Sequence, residues 1–302
     1  MTQRARTFRT FALTGAALIG FAANSLLCRA ALRPGLIDAA SFTALRLGSG
    51  ALALALLERA GSGSRRARAE AGSFWSGAAL FAYAAAFSFA YLRIGAGVGA
   101  LILFGAVQAT MIGWGLLSGE RPRALEWMGV LVALSGLALL PAPGARAADP
   151  LGAALMAGAG IAWGIYSVRG RGVARPLAAT AANFARSLPW AALLWLGFAP
   201  RAHASWGGAA LAVASGALAS GVGYSVWYAA LRGLSATRAA VVQLATPVLA
   251  AVGAVTLLGE TLGARLLVCG AAILGGVALA LAGRGRPARL SAAADAQAER
   301  RL

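Results

Sequence analysis

The stretch GWGLLSGERPRALEWMG, Gly113 to Gly129, is matched later in the chain by GAVTLLGETLGARLLVCG, Gly253 to Gly270. In each stretch an apolar run ends in Gly-Glu, a short polar break follows, and a second apolar run begins. The two glutamates, Glu120 and Glu260, lie 140 residues apart in a chain of 302 residues. A repeat at about half the chain length indicates that one structural unit occurs twice.

Both stretches belong to an unusually apolar chain, in which 60% of the residues are hydrophobic and 12% are charged. A soluble domain carries about 25% charged residues, so the composition excludes that class. Runs long enough to cross a bilayer, which takes about 20 apolar residues, occur ten times. Their approximate bounds are 10–28, 39–57, 71–92, 94–119, 127–145, 150–168, 176–200, 202–231, 239–259 and 266–283. The runs are continuous, which predicts helices, because a β-barrel would require short alternating strands.

The first run follows Arg4, Arg6 and Arg9, which is also the charge pattern of a secretory signal peptide. No convincing small-x-small cleavage site follows the run. A leucine precedes Cys28, which disfavours a lipidation site. We therefore interpret residues 10–28 as a retained span.

The net charge of +18 comes from 27 basic residues, all of them arginine. If the N-terminus is cytoplasmic, nineteen arginines fall on the cytoplasmic side, six fall on the opposite side, and Arg46 and Arg186 lie inside spans. The positive-inside rule therefore predicts that both termini are cytoplasmic. Orientation in the membrane explains the charge more economically than nucleic-acid binding. The exclusive use of arginine suggests a GC-rich genome, and hence a multi-pass protein of a bacterial inner membrane.

A shift of 140 residues aligns much of the first half of the chain with the second. The matched pairs include Gly20 with Gly160, Arg29 with Arg169, Arg46 with Arg186 and Gly136 with Gly276. Each half holds five spans, and because five is odd, the second half enters the membrane from the opposite side. The predicted fold is an all-α integral membrane protein with ten transmembrane helices in two inverted five-helix repeats. The repeats are residues 1–147 and 148–284, followed by a disordered cytoplasmic tail, residues 285–302; this arrangement is typical of secondary transporters.

The repeated stretches resemble the drug/metabolite transporter superfamily, in its ten-helix EamA-type branch. The best match is GVGYSVWYAALRGLSATRAAVVQLATPVLAAVGAVTLLGE, Gly221 to Glu260, which resembles the eighth and ninth helices of the family. The stretches FAANSLLCRAAL and IAWGIYSVRGR resemble its first and sixth helices. The resemblance covers about residues 10–283. It implies a permease that exports or exchanges small metabolites, such as amino acids or related compounds.

The sequence departs from the family pattern at two positions. The family usually has proline in the ninth helix and in its first-half equivalent, but this chain has Pro247 in the second half and Val107 in the first. A hinge is therefore predicted at Pro247. Phe21 stands where the family often has tryptophan, so substrate identity is not carried over from any one relative.

Arg46 and Arg186 each lie about 12 Å deep in a span, near the midplane of a core of about 30 Å. An arginine at that depth costs about 2.5–3.5 kcal/mol, so each is expected to face the bundle interior, water or an acceptor. One interpretation is that the pair binds an anionic group such as a carboxylate or phosphate. The other is structural, with each arginine satisfying carbonyls or extending toward an interface. The family often has Leu-Arg here whatever the substrate, which favours the structural interpretation.

Polar and aromatic residues within the spans are candidates for the substrate pathway. Together with the two arginines, the predicted pathway residues are Asn24, Arg46, Tyr83, Gln108, Trp163, Tyr166, Arg186, Tyr224 and Gln243. The alternative for the uncharged members is hydrogen bonding between helices. Trp227 and Tyr228, near a cytoplasmic end, are expected to be interfacial belt residues.

The carboxylates offer little for catalysis or for proton exchange. Glu120 and Glu260 could titrate, but their positions after glycine at span ends favour anchoring of a turn. No acidic residue lies well inside a span, which argues against a proton-coupled antiporter of cationic drugs. With one histidine, His203, and two cysteines, no metal ion or other cofactor is predicted.

Three classes of function are open to a multi-pass membrane protein of this kind. The first is a secondary transporter that binds a small molecule, sits in the lipid bilayer as a monomer or homodimer, and binds no nucleic acid. The second, an intramembrane enzyme, lacks a plausible catalytic constellation. The third is a non-transporting membrane scaffold or sensor. Soluble domains would favour it, and such a protein does not need the two-sided symmetry of an inverted repeat. The inverted repeat therefore favours transport.

Overall fold

The computed structural model describes residues 3–32, 34–60, 72–94, 96–139, 149–258 and 264–283. Within these ranges the chain forms ten helical segments and no β-strand, apart from one isolated bridge. The segments are α1 Gln3–Leu32, α2 Ala39–Ala60, α3 Phe74–Tyr91, α4 Ala96–Leu117, α5 Ala124–Leu139, α6 Pro150–Gly170, α7 Pro176–Phe198, α8 Trp206–Leu231, α9 in two parts, Ala236–Gln243 and Ala245–Leu258, and α10 Ala264–Ala282. The prediction of an all-helical fold is confirmed. Glu260 and the predicted tail lie outside the described residues.

Six helices are long and apolar enough to cross a membrane. They are Thr7–Leu32, Ala39–Ala60, Phe74–Tyr91, Pro150–Gly170, Trp206–Leu231 and Ala236–Gly253. Three shorter apolar helices are Ile102–Leu117, Ala124–Leu139 and Leu267–Ala282. Their length and hydropathy identify a multi-pass membrane protein.

Polar side chains and proline set several of the helix starts. Asp38 accepts a hydrogen bond from the N–H of Ser41 at 2.9 Å, at the start of α2. Asp149 does the same for Gly152 at 2.7 Å before α6, whose first residue is Pro150. Side-chain acceptors are favoured at these positions because the first N–H groups of a helix have no acceptor within it.

One end of the bundle holds both ends of the described chain. Gly233, just after α8, packs against Thr10 in α1. The Arg238 guanidinium, at the start of α9, donates to the carbonyl of Gly283, just after α10. We call this end the lower end.

The opposite end, called the upper end, joins other loops. Ile37, between α1 and α2, forms a β-bridge with Ala204, between α7 and α8. Arg93, after α3, pairs with Asp149, before α6. Successive helices therefore run alternately up and down between the two ends.

Each helix packs mainly on helices from the other half of the chain. α5 packs on α10, and α2 packs on α7. α6 lies against α3 and α4, while α1 lies against α8 and α9. Small residues allow the closest approach: a Cβ on Gly276 in α10 would collide with the backbone of Gly129 and Ala133 in α5.

Two helices are irregular near the middle of the bundle. α8 contains a π-helical segment, Ser215–Val222, whose Gly216 lies directly against the carbonyl of Arg46. α9 is interrupted at Leu244, three residues before Pro247. Because proline has no N–H to donate to the carbonyl four residues earlier, the break lies where its chemistry predicts.

Candidate functional site

Arg46 lies at the centre of the bundle, and its side chain is almost fully enclosed, with 1% exposed. Its Nε donates to Ser220 Oγ at 3.0 Å and its Nη2 donates to the Tyr224 hydroxyl at 2.6 Å. The same Nη2 lies 3.5 Å from the Tyr83 hydroxyl. All three partners are hydroxyl groups, so the guanidinium is hydrogen-bonded but its charge is not balanced by these partners.

The hydrogen bonds continue from Arg46 to Asn24. Ser220 donates its hydroxyl proton to Asn24 Oδ1 at 3.4 Å, and Ser215 donates to the same oxygen at 2.7 Å. On the other side of the guanidinium, the Tyr224 and Tyr83 hydroxyl oxygens are 3.4 Å apart. One polar network therefore joins α1, α2 and α3 to the π-helical part of α8.

A second polar group lies on α4, α6 and α9. Trp163 Nε1 donates to Gln243 Oε1 at 2.6 Å, and Gln243 Nε2 donates to the carbonyl of Ala239 at 3.0 Å. Gln108 Nε2 donates to the carbonyl of Ala240 at 2.7 Å. These bonds place two amide side chains beside the break in α9.

Aromatic rings connect the two polar groups. The Trp163 ring centre lies 5.0 Å from Tyr83, 4.7 Å from Tyr224 and 5.1 Å from Phe21. Tyr166 stacks on Trp163 with centres 5.6 Å apart. Phe21, which stands where the family often has tryptophan, therefore also places an aromatic ring against Trp163.

A small cavity of about 30 Å³ lies within this group. It is lined by Phe21, Ser25, Tyr83, Phe87, Leu103, Phe104, Trp163, Gln243 and Thr246. The volume suits about one or two water molecules, so in this conformation the centre is enclosed.

The structure brings together eight of the nine predicted pathway residues. They are Asn24, Arg46, Tyr83, Gln108, Trp163, Tyr166, Tyr224 and Gln243. The ninth, Arg186, is half-buried elsewhere: its Cβ packs on Gly77 and its guanidinium lies beside Gly72, just before α3 begins. Its charged group therefore lies toward the lower end and away from the midplane at which it was predicted.

Sequence reasoning missed two hydroxyl groups of the site, those of Ser215 and Ser220. Both are fully buried, and both belong to the π-helical segment. The available signal was the run SGALASGV, in which two small polar residues lie five apart among glycines. Such spacing suits a π-helix, and π-helical turns are frequent at functional sites.

The prediction for Trp227 and Tyr228 was wrong. Belt residues face the lipid interface, but these two side chains are buried. Trp227 Nε1 donates to Ser167 Oγ at 3.1 Å, and the Tyr228 hydroxyl donates to the carbonyl of Tyr166 at 3.0 Å. Position near a span end does not reveal which face of the helix is turned inward, and here α6 covers that face.

Glu120 anchors the start of α9 at the lower end. Its carboxylate accepts hydrogen bonds from the N–H groups of Ala236 and Thr237, at 2.7 and 3.1 Å. It also pairs with Arg171 at 3.1 Å. Glu120 therefore anchors a turn, as the sequence favours. The turn is the one before α9, and not the turn that follows Glu120 in its own part of the chain.

Asp38 ties the two halves together at the upper end. Its Oδ2 accepts from the N–H of His203 at 2.9 Å, while its Oδ1 accepts from Ser41. Burial alone would raise the pKa of Asp38, but the hydrogen bonds from Ser41 and His203 together hold that pKa below its ordinary value. The carboxylate form is therefore the one that the fold stabilises.

Comparison with known proteins gives three consistent results. The EamA-like transporter family matches residues 150–282. A protein of Pseudomonas aeruginosa, described as "Uncharacterized protein PA1977", is 54% identical over 283 residues, which is 93% of this chain and 98% of that protein. A solved structure described only as "Crystal structure of protein" superposes with a TM-score of 0.74 at 23% identity, over 94% of this chain and 99% of its own.

The family match suggests a membrane transporter, and a multi-pass helical bundle with an enclosed polar centre is compatible with that class. Residues 150–282 belong to the EamA-like transporter family, which confirms the predicted resemblance to the drug/metabolite transporter superfamily for that part of the chain. The crystal structure supports the fold alone, because its sequence identity is low. The family assignment is consistent with a protein that is not an enzyme.

Proposed function

We propose that this chain is a secondary transporter that exports or exchanges small metabolites, such as amino acids or related compounds. It works by alternating access between two inverted repeats, residues 1–147 and 148–284, with all ten helices crossing the membrane. The substrate binds at the enclosed centre. Pro247, beside the break in α9, serves as a hinge.

The observation that carries the proposal is the pattern of helix packing. In the proposed repeats, α1 to α5 correspond in order to α6 to α10. When each helix is replaced by its counterpart, the pair α3 and α6 becomes the pair α8 and α1, and the pair α4 and α6 becomes the pair α9 and α1. The pairs α2 with α7, α4 with α9 and α5 with α10 are unchanged by the exchange. All of these pairs are in contact. Two related units that face each other in this way can swap roles between inward-open and outward-open states.

The site lies between the two proposed repeats. Asn24, Arg46 and Tyr83 come from the first, whereas Trp163 and Tyr224 come from the second. Any movement of one repeat against the other must therefore change the shape of the centre. A binding site at a repeat interface near the midplane is what alternating access requires.

Ion pairs at the lower end are suited to act as a gate. Glu120 with Arg171 joins the two halves, and Arg238 with Glu126, at 3.3 Å, does the same. At the upper end the halves meet through Asp38 and the loop that holds His203. Breaking the contacts at one end while keeping those at the other would open the centre to one side of the membrane.

The lower end is assigned to the cytoplasm of a bacterium, with the protein in the inner membrane as a monomer or homodimer. Nine arginines of the described residues support this orientation. They are Arg9, Arg59, Arg121, Arg123, Arg169, Arg171, Arg175, Arg232 and Arg238. Reporter fusions at Arg68 and Arg289 should both give cytoplasmic signals, and a periplasmic signal at either would contradict the orientation.

Uptake into proteoliposomes tests the proposed function. The purified chain is reconstituted and exposed to a panel of labelled anionic, zwitterionic, neutral and cationic metabolites, with and without a proton gradient. Protein-free liposomes are the control. Saturable, protein-dependent uptake or exchange of at least one compound supports transport. Specific binding without uptake or exchange would favour the alternative, a scaffold or sensor that does not transport.

A further inference from the structure

The guanidinium of Arg46 is enclosed without an opposite charge. Its hydrogen-bonding partners are the hydroxyl groups of Ser220, Tyr224 and Tyr83, which are neutral acceptors. Its remaining nitrogen, Nη1, is buried and has no hydrogen-bond partner among the residues that the structure describes. An enclosed cation is costly unless it is paired and fully hydrogen-bonded, so a bound anion would stabilise this group.

The acidic residues of the described ranges do not supply this anion, because they lie at the ends of the bundle. Their contacts are Asp38 with Ser41 and His203, Glu58 with Arg175, Glu120 with Arg171, Glu126 with Arg238, and Asp149 with Arg93. Within the part of the chain that the structure describes, no carboxylate pairs with Arg46. A partner for its charge must therefore come from outside these residues.

The guanidinium of Arg46 contacts two of the rings that line the cavity, although Arg46 is not itself a lining residue. Arg46 Cζ lies 5.3 Å from the ring centre of Tyr83 and 5.9 Å from that of Phe87. Both rings line the cavity, as does the Trp163 ring. The hydroxyl of Thr246, on the cavity wall, is also buried without a partner among the described residues, so it can bond a second polar group. A ligand that enters this space meets aromatic walls and one further hydroxyl, and the Arg46 guanidinium packs on two of those walls.

We infer that Arg46 binds the carboxylate of the transported substrate, and that the substrate class is a carboxylate with an apolar or aromatic body. The inference rests on the proposed function and names its substrate. A single guanidinium with one free nitrogen balances one negative charge. A phosphate carries nearly two, and the equivalent arginine, Arg186, lies beside Gly72 near the start of α3. The aromatic lining favours an apolar body over a heavily hydroxylated one.

Binding of matched carboxylate and amide pairs tests this inference directly in the unmodified protein. The probes are acetate, hexanoate, 3-phenylpropanoate and indole-3-acetate, each compared with its amide, on the full chain in lipid nanodiscs by calorimetry. At least one carboxylate should bind about tenfold or more tightly than its amide, since a charge-assisted bond replaces a neutral one. Equal binding within every pair, or no binding of any carboxylate, would overturn the inference.

Variants test whether the charge of Arg46 causes the preference for a carboxylate over its amide. Arg46→Gln should remove the preference for carboxylate over amide, and Arg46→Lys should restore part of it. Arg201→Gln, an exposed arginine in the upper loop, is the matched control and should keep the preference. Retention of the preference in Arg46→Gln would also overturn the inference. Should Arg46→Gln not fold, a reduced but measurable preference in a folded Arg46→Lys supports the assignment, and the comparison within the unmodified protein still decides.

The two proposals fail separately. If the chain takes up neutral or cationic compounds into proteoliposomes but ignores every carboxylate, transport stands and the role of Arg46 falls. If carboxylates bind with the expected preference but no uptake or exchange occurs, the site stands and transport falls.

Discussion

Arg46 and Arg186 occupy equivalent positions in the two halves of the sequence, 140 residues apart, but their surroundings differ. Arg46 is enclosed among hydroxyl groups and aromatic rings at the centre. Arg186 is half-buried and lies beside Gly72, next to the start of α3. Residues that align between the two halves of the sequence can therefore differ in their surroundings and in the chemistry that they offer.

The helices that face the two arginines explain the difference. Arg46 faces α8, whose π-helical segment directs Ser220 toward it. The residue 140 positions before Ser220 is Leu80, in the α-helical α3, and leucine offers no acceptor. In its place, Gly72 and Gly77 leave room for Arg186 along α3. One arginine is thus held at the centre by hydrogen bonds, while the other passes along small residues toward the lower end.

The largest expected effect separates the two arginines by transport. Arg46→Gln should reduce uptake of the wild-type substrate by about tenfold or more, because the charge at the centre is lost. Arg186→Gln should retain uptake to within about twofold, since its guanidinium lies outside the polar network. Initial rates in proteoliposomes, normalised to reconstituted protein, give the comparison. Equal losses in the two variants would contradict the distinction between the halves.

The second comparison is between Pro247 and Val107, its equivalent in the first half. Pro247→Ala should lower the uptake rate by about threefold or more, because alanine can continue the hydrogen bonds across the break in α9. Val107→Ala, a change of similar size in the unbroken α4, should leave the rate nearly unchanged. Substrate binding in nanodiscs, measured alongside, should change little in Pro247→Ala. An uptake rate that is unaffected by Pro247→Ala would contradict the role of Pro247 as a hinge.

The third comparison lies within the network around Arg46. Tyr224→Phe should destabilise the protein by about 1–3 kcal/mol, because the donor at 2.6 Å loses its acceptor in a buried site. Tyr83→Phe keeps the ring and removes two longer contacts, at 3.5 Å to Arg46 and at 3.4 Å to Tyr224, so its cost should be below about 1 kcal/mol. Unfolding titrations in mild detergent give both values. A larger loss from Tyr83→Phe would show that the bonding pattern is misassigned.

The smallest expected effect concerns the contact between the halves at the upper end. Because the pKa of Asp38 is lowered in the folded protein, its contribution to stability is present above the ordinary aspartate pKa. This contribution should disappear as the pH falls through the lowered pKa. Melting temperatures of wild type and Asp38→Asn should therefore differ at neutral pH and converge in acid. A difference that stays constant or widens in acid would contradict the assigned shift.

The sequence was sufficient for the helices and for most of the polar centre. Long apolar runs predict helices because lipid allows few other structures, and most of the described bounds agree to within a few residues, the start of α1 and the end of α5 being the exceptions. Asn24, Tyr83, Trp163 and Gln243 were recognisable because polar groups inside spans need partners. They met at the centre because that is where the bundle offers those partners.

The sequence was insufficient where the answer depends on the direction of a side chain. Arg186 lies deep in its span, but a long flexible side chain can extend well away from its own Cα. Trp227 and Tyr228 lie near a helix end, and only the packing of α6 decides that they are covered. The π-helical turn that carries Ser220 packs on α2 through Gly216, which lies against the carbonyl of Arg46, and the spacing of the two serines alone does not reveal that contact.

Alternating access is the central claim, and distances measured at both ends of the bundle test it most directly. Cys28 and Cys269 are replaced by alanine, and spin labels are placed at Arg121 and Arg232 on the lower end or at Leu92 and Ala202 on the upper end. Each pair joins the two halves at exposed positions. Pulsed electron resonance in nanodiscs should give two distances for each pair, and added substrate should shift the two ends in opposite directions. A single unchanged distance at both ends, or a shift in the same direction at both, would contradict the account.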